Sequence, residues 1–424
     1  MHNFKIDKDL IIRYKSRNYN YNDLSTVVSY WKSVISKIDD PRPILLIHLN
    51  LSISYIGLLL ALIQSKREYW HSTADHLLND ASDFSTVFVI GVSNVTHSTL
   101  SAVPNSVFTD SEQHIHNIEM HDGVADLEFE FSPLQTVNFY TSGSTGAPKA
   151  IRTNSSNEYT SIVSAIQTYF KPTDRCLFFS SMRHPGVHTT AIFPALFYTR
   201  YIVLASTVEE WNAEIANVDH VQFFASMIRF GCKLPPKLRV LTTGGNPLRR
   251  VVYNFIVHNC QIENFIDIYG LTECPPPLAV RYITDPDSLN HGFTWIQPMN
   301  IPMVKDDLLY IQTPDSMIIE TGDIAKFEND KLIIYGRWVP GIRVNGGILS
   351  IQEFSKRFEE QTNVVDYVVR TSKVDRVTVI DMVFLNSDKH TVEKYLVDNE
   401  VEVTNVTYQD NLDTAGGIKH VLTQ

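Results

Sequence analysis

The sequence predicts an α/β protein, with a large N-terminal domain of doubly wound, mainly parallel sheets and a small mobile α+β C-terminal domain. Three observations predict it. From about Gln135, short apolar runs such as "TVNFY", "RCLFFSS", "YIVLAS" and "LRVLTT" alternate with helical patterns, and strands that are apolar throughout belong to parallel sheets covered on both faces. Polar Gly/Ser/Thr stretches follow several of these runs, where ligands of such sheets collect. Near Gly336 the composition shifts to the glycine-rich "GRWVPGIRVNGG" and then to a short α+β pattern. The shift places a boundary at Arg337–Trp338, giving domains 1–337 and 338–424.

The elements follow in order. "PILLIHLNLSISYIGLLLALIQSKR" is interrupted by His48, Asn50, Ser52 and Ser54, so it reads as a buried strand (Pro43–Asn50) and a buried helix (Ser52–Ser65), not a membrane span. "TVNFY" is a strand, and "SSNEYTSIVSAIQTYF" a helix opened by Ser155 or Ser156. "RCLFFSS" and "YIVLAS" are strands around the helical "TTAIFPALFYT". "VEEWNAEIANV" is helical, "HVQFFAS" and "LRVLTT" are strands, "PLRRVVYNFIVHN" is a helix and "ENFIDIYG" a strand. Beyond the boundary the order is helix ("IQEFSKRFEEQ"), two strands ("VVDYVVRTS", "RVTVIDMVFL"), helix ("HTVEKYLVDN") and strand ("VEVTNVTYQ").

Composition narrows the function. With 424 residues, 44% apolar and 20% charged, the chain is long enough for at least two domains of an ordinary globular protein. A net charge of -11 argues against broad attraction to nucleic acid or anionic lipid, so a phosphate ligand needs local, preorganised groups. The N-terminus "MHNFKIDKDL" has no apolar signal core. Cys176, Cys232, Cys260 and Cys274 form no CxxC pair and read as reduced thiols of a cytoplasmic protein. The run "HIHNIEMHD" (His114 to Asp122) reads as solvent-facing histidines near a turn before it reads as a metal site.

The residues that suggest chemistry lie in separate stretches. "TSGSTGAPK" (Thr141 to Lys149) is not a P-loop, because Gly143 and Gly146 are two residues apart, Pro148 precedes the lysine and Ala150 follows it. Its hydroxyls and backbone N–H groups can still surround phosphate oxygens, with glycine allowing close approach and Lys149 adding one positive charge; a flexible surface turn is the alternative. "YGLTE" offers an aromatic face at Tyr269, a hydroxyl at Thr272 and a hard carboxylate donor for Mg²⁺ at Glu273, or simply a capped turn. "ETGD" and "YGR" put Asp323 and Arg337 on neighbouring strands, suited to ribose hydroxyls and phosphate oxygens or to a structural pair.

Taken together, "YTSGSTGAPK", "TTGGNPL", "YGLTE", "TGD" and "YGR" followed by "IRVNG" resemble the adenylate-forming superfamily of acyl-CoA synthetases, peptide-synthetase adenylation domains, aryl acid–AMP ligases and luciferases. The resemblance is strong from about Gln135 to Glu353. It implies that Thr141, Ser142, Gly143, Ser144, Thr145, Gly146 and Lys149 cradle the β- and γ-phosphates of ATP. Gly244, Gly245 and Asn246 would line adenine, with Tyr269 and Gly270 beside it. Thr272 and Glu273 would attend the α-phosphate and Mg²⁺, and Asp323 and Arg337 the ribose. His184 in "SSMRHPG" matches the aromatic or histidine near the carboxylate, although a helix-start histidine reads equally. The implied activity is ATP-dependent activation of a carboxylic acid as acyl-adenylate. Transfer then follows to the thiol of CoA or of the phosphopantetheine arm of an acyl or aryl carrier protein. A degenerate member that binds without turnover, or transfer to a non-thiol acceptor, are the alternatives.

The sequence departs from the family pattern at Val339, Arg343 and Ile418. Val339 stands where the family hinge usually has Asp or Lys, and Arg343 replaces a lysine. In the C-terminal "GGIK", Ile418 occupies the position of the adenylating lysine and Lys419 follows it. Pro185 stands where peptide-synthetase domains keep the aspartate that pairs with an α-ammonium, so the expected substrate is an aryl or short acyl acid without a free α-amino group.

Overall fold

The continuously apolar runs become inner strands of two sheets, because a strand covered on both faces has no polar side to present. The computed structural model describes residues 2–48, 52–72, 86–90, 106–109, 126–132, 135–141, 149–179, 185–224, 227–228, 230–245, 248, 250–314, 316–337, 342–344, 347–349, 351–362, 367–374, 377–385, 388–399, 401 and 405–409. They fall into two units, one of Met1–Gly143, Pro148–Gly245 and Ile256–Ile283, the other of Ser144–Ala147, Asn246–Phe255 and Thr284–Gln424. The boundary expected at Arg337–Trp338 therefore lies inside the second unit.

The first unit begins with β1 (His2–Lys5), β2 (Ile11–Tyr14), β3 (Arg17–Asn20) and the helix Tyr21–Ser36. That helix starts with a capping box. The Asn20 side chain accepts from the backbone N–H groups of Asn22 and Asp23, and Asp23 accepts from that of Asn20. There follow β4 (Ile44–His48), the helix Ile53–Ser65, β5 (Tyr69–Ser72), β6 (Thr86–Ile90), β7 (Ser106–Thr109), β8 (Glu128–Phe131), β9 (Thr136–Thr141) and β10 (Lys149–Asn154). One sheet has the order β10–β9–β5–β4–β6–β7. Its strands run parallel except β10, which folds back antiparallel on β9. The apolar stretch after Pro43 is thus a strand and a helix, and the helix is buried on every face from Ile53 to Ile63, as expected of an all-apolar core helix. Among the described residues no helix is long and apolar enough to cross a membrane.

After the helix Ser155–Tyr169 come β11 (Arg175–Phe178), a helical stretch Pro185–Tyr198, β12 (Tyr201–Leu204), the helix Val208–Glu214, β13 (His220–Gln222), β14 (Lys237–Gly244), the helix Arg250–Asn259, β15 (Gln261–Tyr269) and β16 (Ala279–Tyr282). Within this unit the second sheet has the order β16–β15–β14–β13–β11–β12–β2–β3. Strands β2 and β11 to β15 are parallel, whereas β3 pairs antiparallel with β2 and β16 antiparallel with β15. A buried ion pair fixes its centre. Arg239 on β14 donates from Nε to Asp174 at 2.6 Å, from Nη2 to the same carboxylate, and from Nη2 to the Tyr169 carbonyl at 2.9 Å.

Two features differ from the sequence reading. "KAIRTN" forms β10, which the sequence did not suggest because Ile151, Arg152 and Thr153 alternate buried, exposed and buried instead of forming an apolar run. The helix expected from "TTAIFPALFYT" starts earlier, at Pro185, and contains a π-helical turn, His188–Ile192. Proline suits a first helical position, where its missing N–H has no partner to lose.

The second unit contains β17 (Thr294–Trp295) and an antiparallel meander of β18 (Ile301–Lys305), β19 (Leu308–Gln312), β20 (Ile318–Glu328) and β21 (Lys331–Arg337). The hairpin β22 (Ile342–Val344)–β23 (Gly347–Leu349) and the helix Ile351–Thr362 follow. Strands β24 (Tyr367–Val374) and β25 (Val377–Leu385) pair antiparallel. After the helix Lys389–Asp398, β26 (Asn405–Gln409) returns parallel to β25. The two helices meet through aromatic rings, with Tyr395 against Phe358 at 4.8 Å and against Phe354 at 6.2 Å.

Candidate active site

The stretch that opens the candidate site is a hairpin. Strand β9 ends on Thr141, β10 begins on Lys149, and the two are directly opposed. Whatever conformation the residues between them adopt, its two ends are held at the width of one strand pair. The parallel partner β5 supports this hairpin from below, with Tyr69, Trp70 and His71 opposite Val137, Asn138 and Phe139. The His71 ring stacks on Phe139 at 4.8 Å, and its Nδ1 is 2.9 Å from the Tyr55 hydroxyl.

Two further turns open at the carboxyl ends of neighbouring strands. Gly244 lies opposite Ile268 in the β14–β15 pairing, where an added Cβ would come within 2.6 Å of the Ile268 carbonyl oxygen. Gly245 follows with φ +78° and open space where its Cβ would be. The first glycine is thus required by the close approach of β15, and the second by a left-handed turn. One strand over, β15 ends on Tyr269, and Gly270 packs on Pro276, whose Cβ would be 2.3 Å from a Cβ there. Thr272 and Glu273 sit on the turn between, each partly exposed.

This turn is clamped by buried hydroxyls. Ser161 Oγ donates to the Pro275 carbonyl at 2.5 Å and Thr189 Oγ1 to the Pro276 carbonyl at 2.5 Å. The Leu278 N–H returns to the Tyr269 carbonyl at 2.9 Å. Below it, Arg281 Nη2 donates to Asp267 at 2.5 Å across the directly paired positions of β16 and β15. Burial pushes the Asp267 carboxyl up, and the Arg281 charge and hydrogen bond draw it back. Ser161, Thr189, Asp267 and Arg281 were not singled out from the sequence. The signal was faint, since nothing in their local sequence distinguishes these residues from neighbouring polar ones.

In the second unit, Asp323 on β20 is directly opposite Arg337 on β21. Asp323 is buried, and its N–H donates to Thr321 Oγ1 at 3.0 Å. That hydroxyl in turn donates to the Leu309 carbonyl at 2.8 Å.

Of the expected site residues, the fold brings Gly244, Gly245, Tyr269, Gly270, Thr272 and Glu273 to one edge of one sheet, and Thr141 and Lys149 to one hairpin mouth. Ser142, Gly143, Ser144, Thr145, Gly146, His184, Asn246 and Lys419 lie outside the described residues, as do His114–Asp122, Val339 and Ile418. Among the described residues no group of three or more His, Cys, Asp or Glu could hold a metal. Magnesium is usually held by ligand phosphates beside one or two carboxylates, and Glu273, partly exposed on its turn, is the carboxylate the sequence offered for that role.

The family model described as AMP-binding enzyme matches residues 135–309, which spans the hairpin and both turns. No curated protein sequence matches the chain. Among solved structures, ATP-bound MatB from Rhodopseudomonas palustris is similar at 14% identity and TM-score 0.76, covering 97% of this chain and 94% of that one. O-succinylbenzoate coenzyme A synthetase (MenE) from Bacillus subtilis in complex with AMP is similar at 14% identity and TM-score 0.74, with coverages of 96% and 93%. The same synthetase in complex with ATP and magnesium ion gives 14% and 0.72, with coverages of 95% and 94%.

Proposed function

We propose that this chain belongs to the adenylate-forming superfamily and is an AMP-forming acid–thiol ligase, a reading supported by the match of residues 135–309 to the AMP-binding enzyme family and by the shared fold of MatB and MenE. The carboxylate oxygen of an acid attacks the α-phosphorus of ATP, the bond to pyrophosphate breaks, and an acyl-adenylate results. The sulfur of CoA, or of a carrier-protein phosphopantetheine arm, then attacks the acyl carbon, loses its proton and releases AMP. The observation that best supports this reading is the shared sheet edge. Strands β14 and β15 end side by side, so the glycine turn and the Tyr269–Glu273 turn open together, within the region that matches the AMP-binding enzyme family.

Each residue has a task in this reading. Thr141, Ser142, Gly143, Ser144, Thr145 and Gly146 surround the β- and γ-phosphates, and Lys149 draws the charge that grows on departing pyrophosphate. Gly244, Gly245 and Asn246 line adenine, with Tyr269 stacked on it above Gly270. Asp323 binds the ribose hydroxyls and Arg337 the neighbouring oxygens. Thr272 and Glu273 hold magnesium, which supplies further positive charge to the leaving group. His184 attends the acid carboxylate, and Lys419 replaces the tail lysine displaced by Ile418. Residues 338–424 act as a lid that turns about Val339 between half-reactions. The four buried free cysteines suit a cytoplasmic setting.

The acid is aryl or short acyl, since Pro185 offers no counter-charge to an α-ammonium and a buried unpaired charge is strongly disfavoured. ATP–pyrophosphate exchange across a panel of acids tests the whole reading. Lys149→Ala and Glu273→Ala should each lower exchange roughly 10²–10³-fold, the usual effect of losing one transition-state donor. Undiminished exchange in both would remove these residues from the site, and exchange with amino acids alone would overturn the substrate class. The Ile418 substitution favours a second reading, nucleotide or carrier-protein binding without turnover. Nucleotide binding with no exchange for any acid would establish it. Product analysis with CoA and with a phosphopantetheinylated carrier separates thiol acceptors from a non-thiol one.

A further inference from the structure

The helix Ser155–Tyr169 joins two parts of the candidate site. It follows β10 without a break, so its first turn continues the strand that starts on Lys149. Ser155 holds that junction, its N–H donating to the Gln135 carbonyl at 3.0 Å and its Oγ to the Ser132 carbonyl at 2.6 Å. Further along the helix, Ser161 clamps the Pro275 carbonyl, at the end of the turn carrying Thr272 and Glu273. Glu158 lies between these two anchors, one helical turn before Ser161 and on the same face. It is fully buried, and neither of its oxygens has a hydrogen-bond partner among the described residues. Among those residues it is the one carboxyl group so placed, a costly arrangement inside a fold.

The neighbouring elements bring phenols and imidazoles. Tyr55 comes from the helix Ile53–Ser65, Tyr69 and His71 from β5, and His188 from the π-helical turn that packs on the helix of Glu158, all of them buried. The Tyr55 hydroxyl is 2.9 Å from His71 Nδ1, and the His71 ring lies 5.2 Å from Tyr69 and 4.7 Å from His188. Burial pushes both phenols up, and the nearby Glu158 adds to the effect. Arg152 on β10 lies at the surface over Trp70. Glu128 and Glu130 on β8 and Tyr198 at the end of the stretch Pro185–Tyr198 are exposed as well. Burial raises the Glu158 pKa to about 8, so the group is a neutral acid at pH 7.

We infer that Glu158 is a positioning residue of the nucleotide site: as the neutral acid it keeps its helix seated between the Lys149 hairpin and the Glu273 turn, and on losing its proton it displaces both. A bare carboxylate is too costly to stay among these apolar and aromatic neighbours. The first turn of the helix must shift to bring it water, and that turn is covalently continuous with β10. The same shift pulls on Ser161 and so on the Pro275 carbonyl. The inference rests on the reading of this chain as an ATP-using enzyme in which Lys149 and Glu273 serve the phosphates.

The test measures ATP–pyrophosphate exchange with one accepted acid at pH 7 and pH 9, in the intact chain and in Glu158→Gln. The intact enzyme should lose about tenfold in kcat between the two, the loss of neutral acid for a group of pKa about 8. In Glu158→Gln the fall should be about twofold or less, because an amide keeps the shape and has no proton to lose in this range. Glu158→Met serves where the glutamine variant fails to fold. Comparing profiles cancels the pH dependence of pyrophosphate, magnesium and Lys149, which all the proteins share. The same ratio in the intact chain and the variants would overturn the inference. So would near-ultraviolet circular dichroism showing the intact chain unfolded at pH 9, since the loss would then be global. If no acid supports exchange, the ligase reading fails separately. ATP affinity by calorimetry at the two pH values then decides for Glu158, a weakening confined to the intact chain supporting it and equal changes refuting it.

Discussion

Glu158 is a carboxyl group in an environment that opposes its charge. It lies in the first turn of the helix Ser155–Tyr169, is fully buried, and neither carboxylate oxygen has a hydrogen-bond partner among the described residues. Burial pushes its pKa up to about 8. An unfolded chain loses this proton above the ordinary carboxylate range, whereas the folded chain keeps it until about pH 8. Folding between those values takes up a proton, so this residue destabilises the fold increasingly as pH rises, by about 1.4 kcal/mol per pH unit. Glu158→Gln should therefore raise stability by roughly 4 kcal/mol at pH 8 and by about 1 kcal/mol or less at pH 5. Urea unfolding at the two pH values measures both gains. Equal gains would mean that the carboxyl is ionised in the folded protein.

At the scale of elements, the ends of β14 and β15 carry separable demands for structure and for ligand. Gly244→Ala drives a Cβ to 2.6 Å from the Ile268 carbonyl, an overpacking that should cost about 1–3 kcal/mol in stability. Gly245→Ala meets no atom within 4 Å and should cost only the positive φ, about 1–2 kcal/mol. If the turn faces adenine, the second variant should weaken ATP binding by more than its stability loss explains. Melting temperature and ATP affinity, measured on both variants, distinguish the two. Thr189→Val removes the donor to the Pro276 carbonyl and should cost about 1 kcal/mol of stability. It should also lower exchange activity, because the turn that carries Thr272 and Glu273 loses one of its two hydroxyl clamps.

For the whole molecule, the proposed function asks residues 338–424 to serve two half-reactions. Lys419→Ala is expected to lower adenylation at least tenfold, because a lysine beside the carboxylate stabilises charge only while ATP is attacked. Thioester formation from preformed acyl-adenylate should largely survive. Two unchanged rates would make Lys419 a surface residue, and gained exchange in Ile418→Lys would point to a protein that works without the tail lysine. The fold tolerates such drift. At 14% identity the chain still covers 97% of itself against MatB with a TM-score of 0.76, because a packed α/β core needs the pattern of apolar residues more than their identities.

The sequence alone determined which segments are inner strands and where the polar turns fall. Continuous apolar runs such as "RCLFF" and "LRVLTT" and punctuating glycines are local signals, readable from a few neighbours. It also marked Lys149, Tyr269, Glu273, Asp323 and Arg337, since their spacing along the chain is itself the motif. Strand β10 escaped it, because an alternating six-residue strand ending in a helix carries too weak a period. Only the tertiary structure decided that Gly244 meets Ile268, that Asp323 stands opposite Arg337, and that Ser161 and Thr189 hold a turn far along the chain. It alone buried Glu158 and turned Gln222 toward Thr190. Register, burial and hydrogen-bond satisfaction are set by neighbours distant in sequence, so no local pattern encodes them.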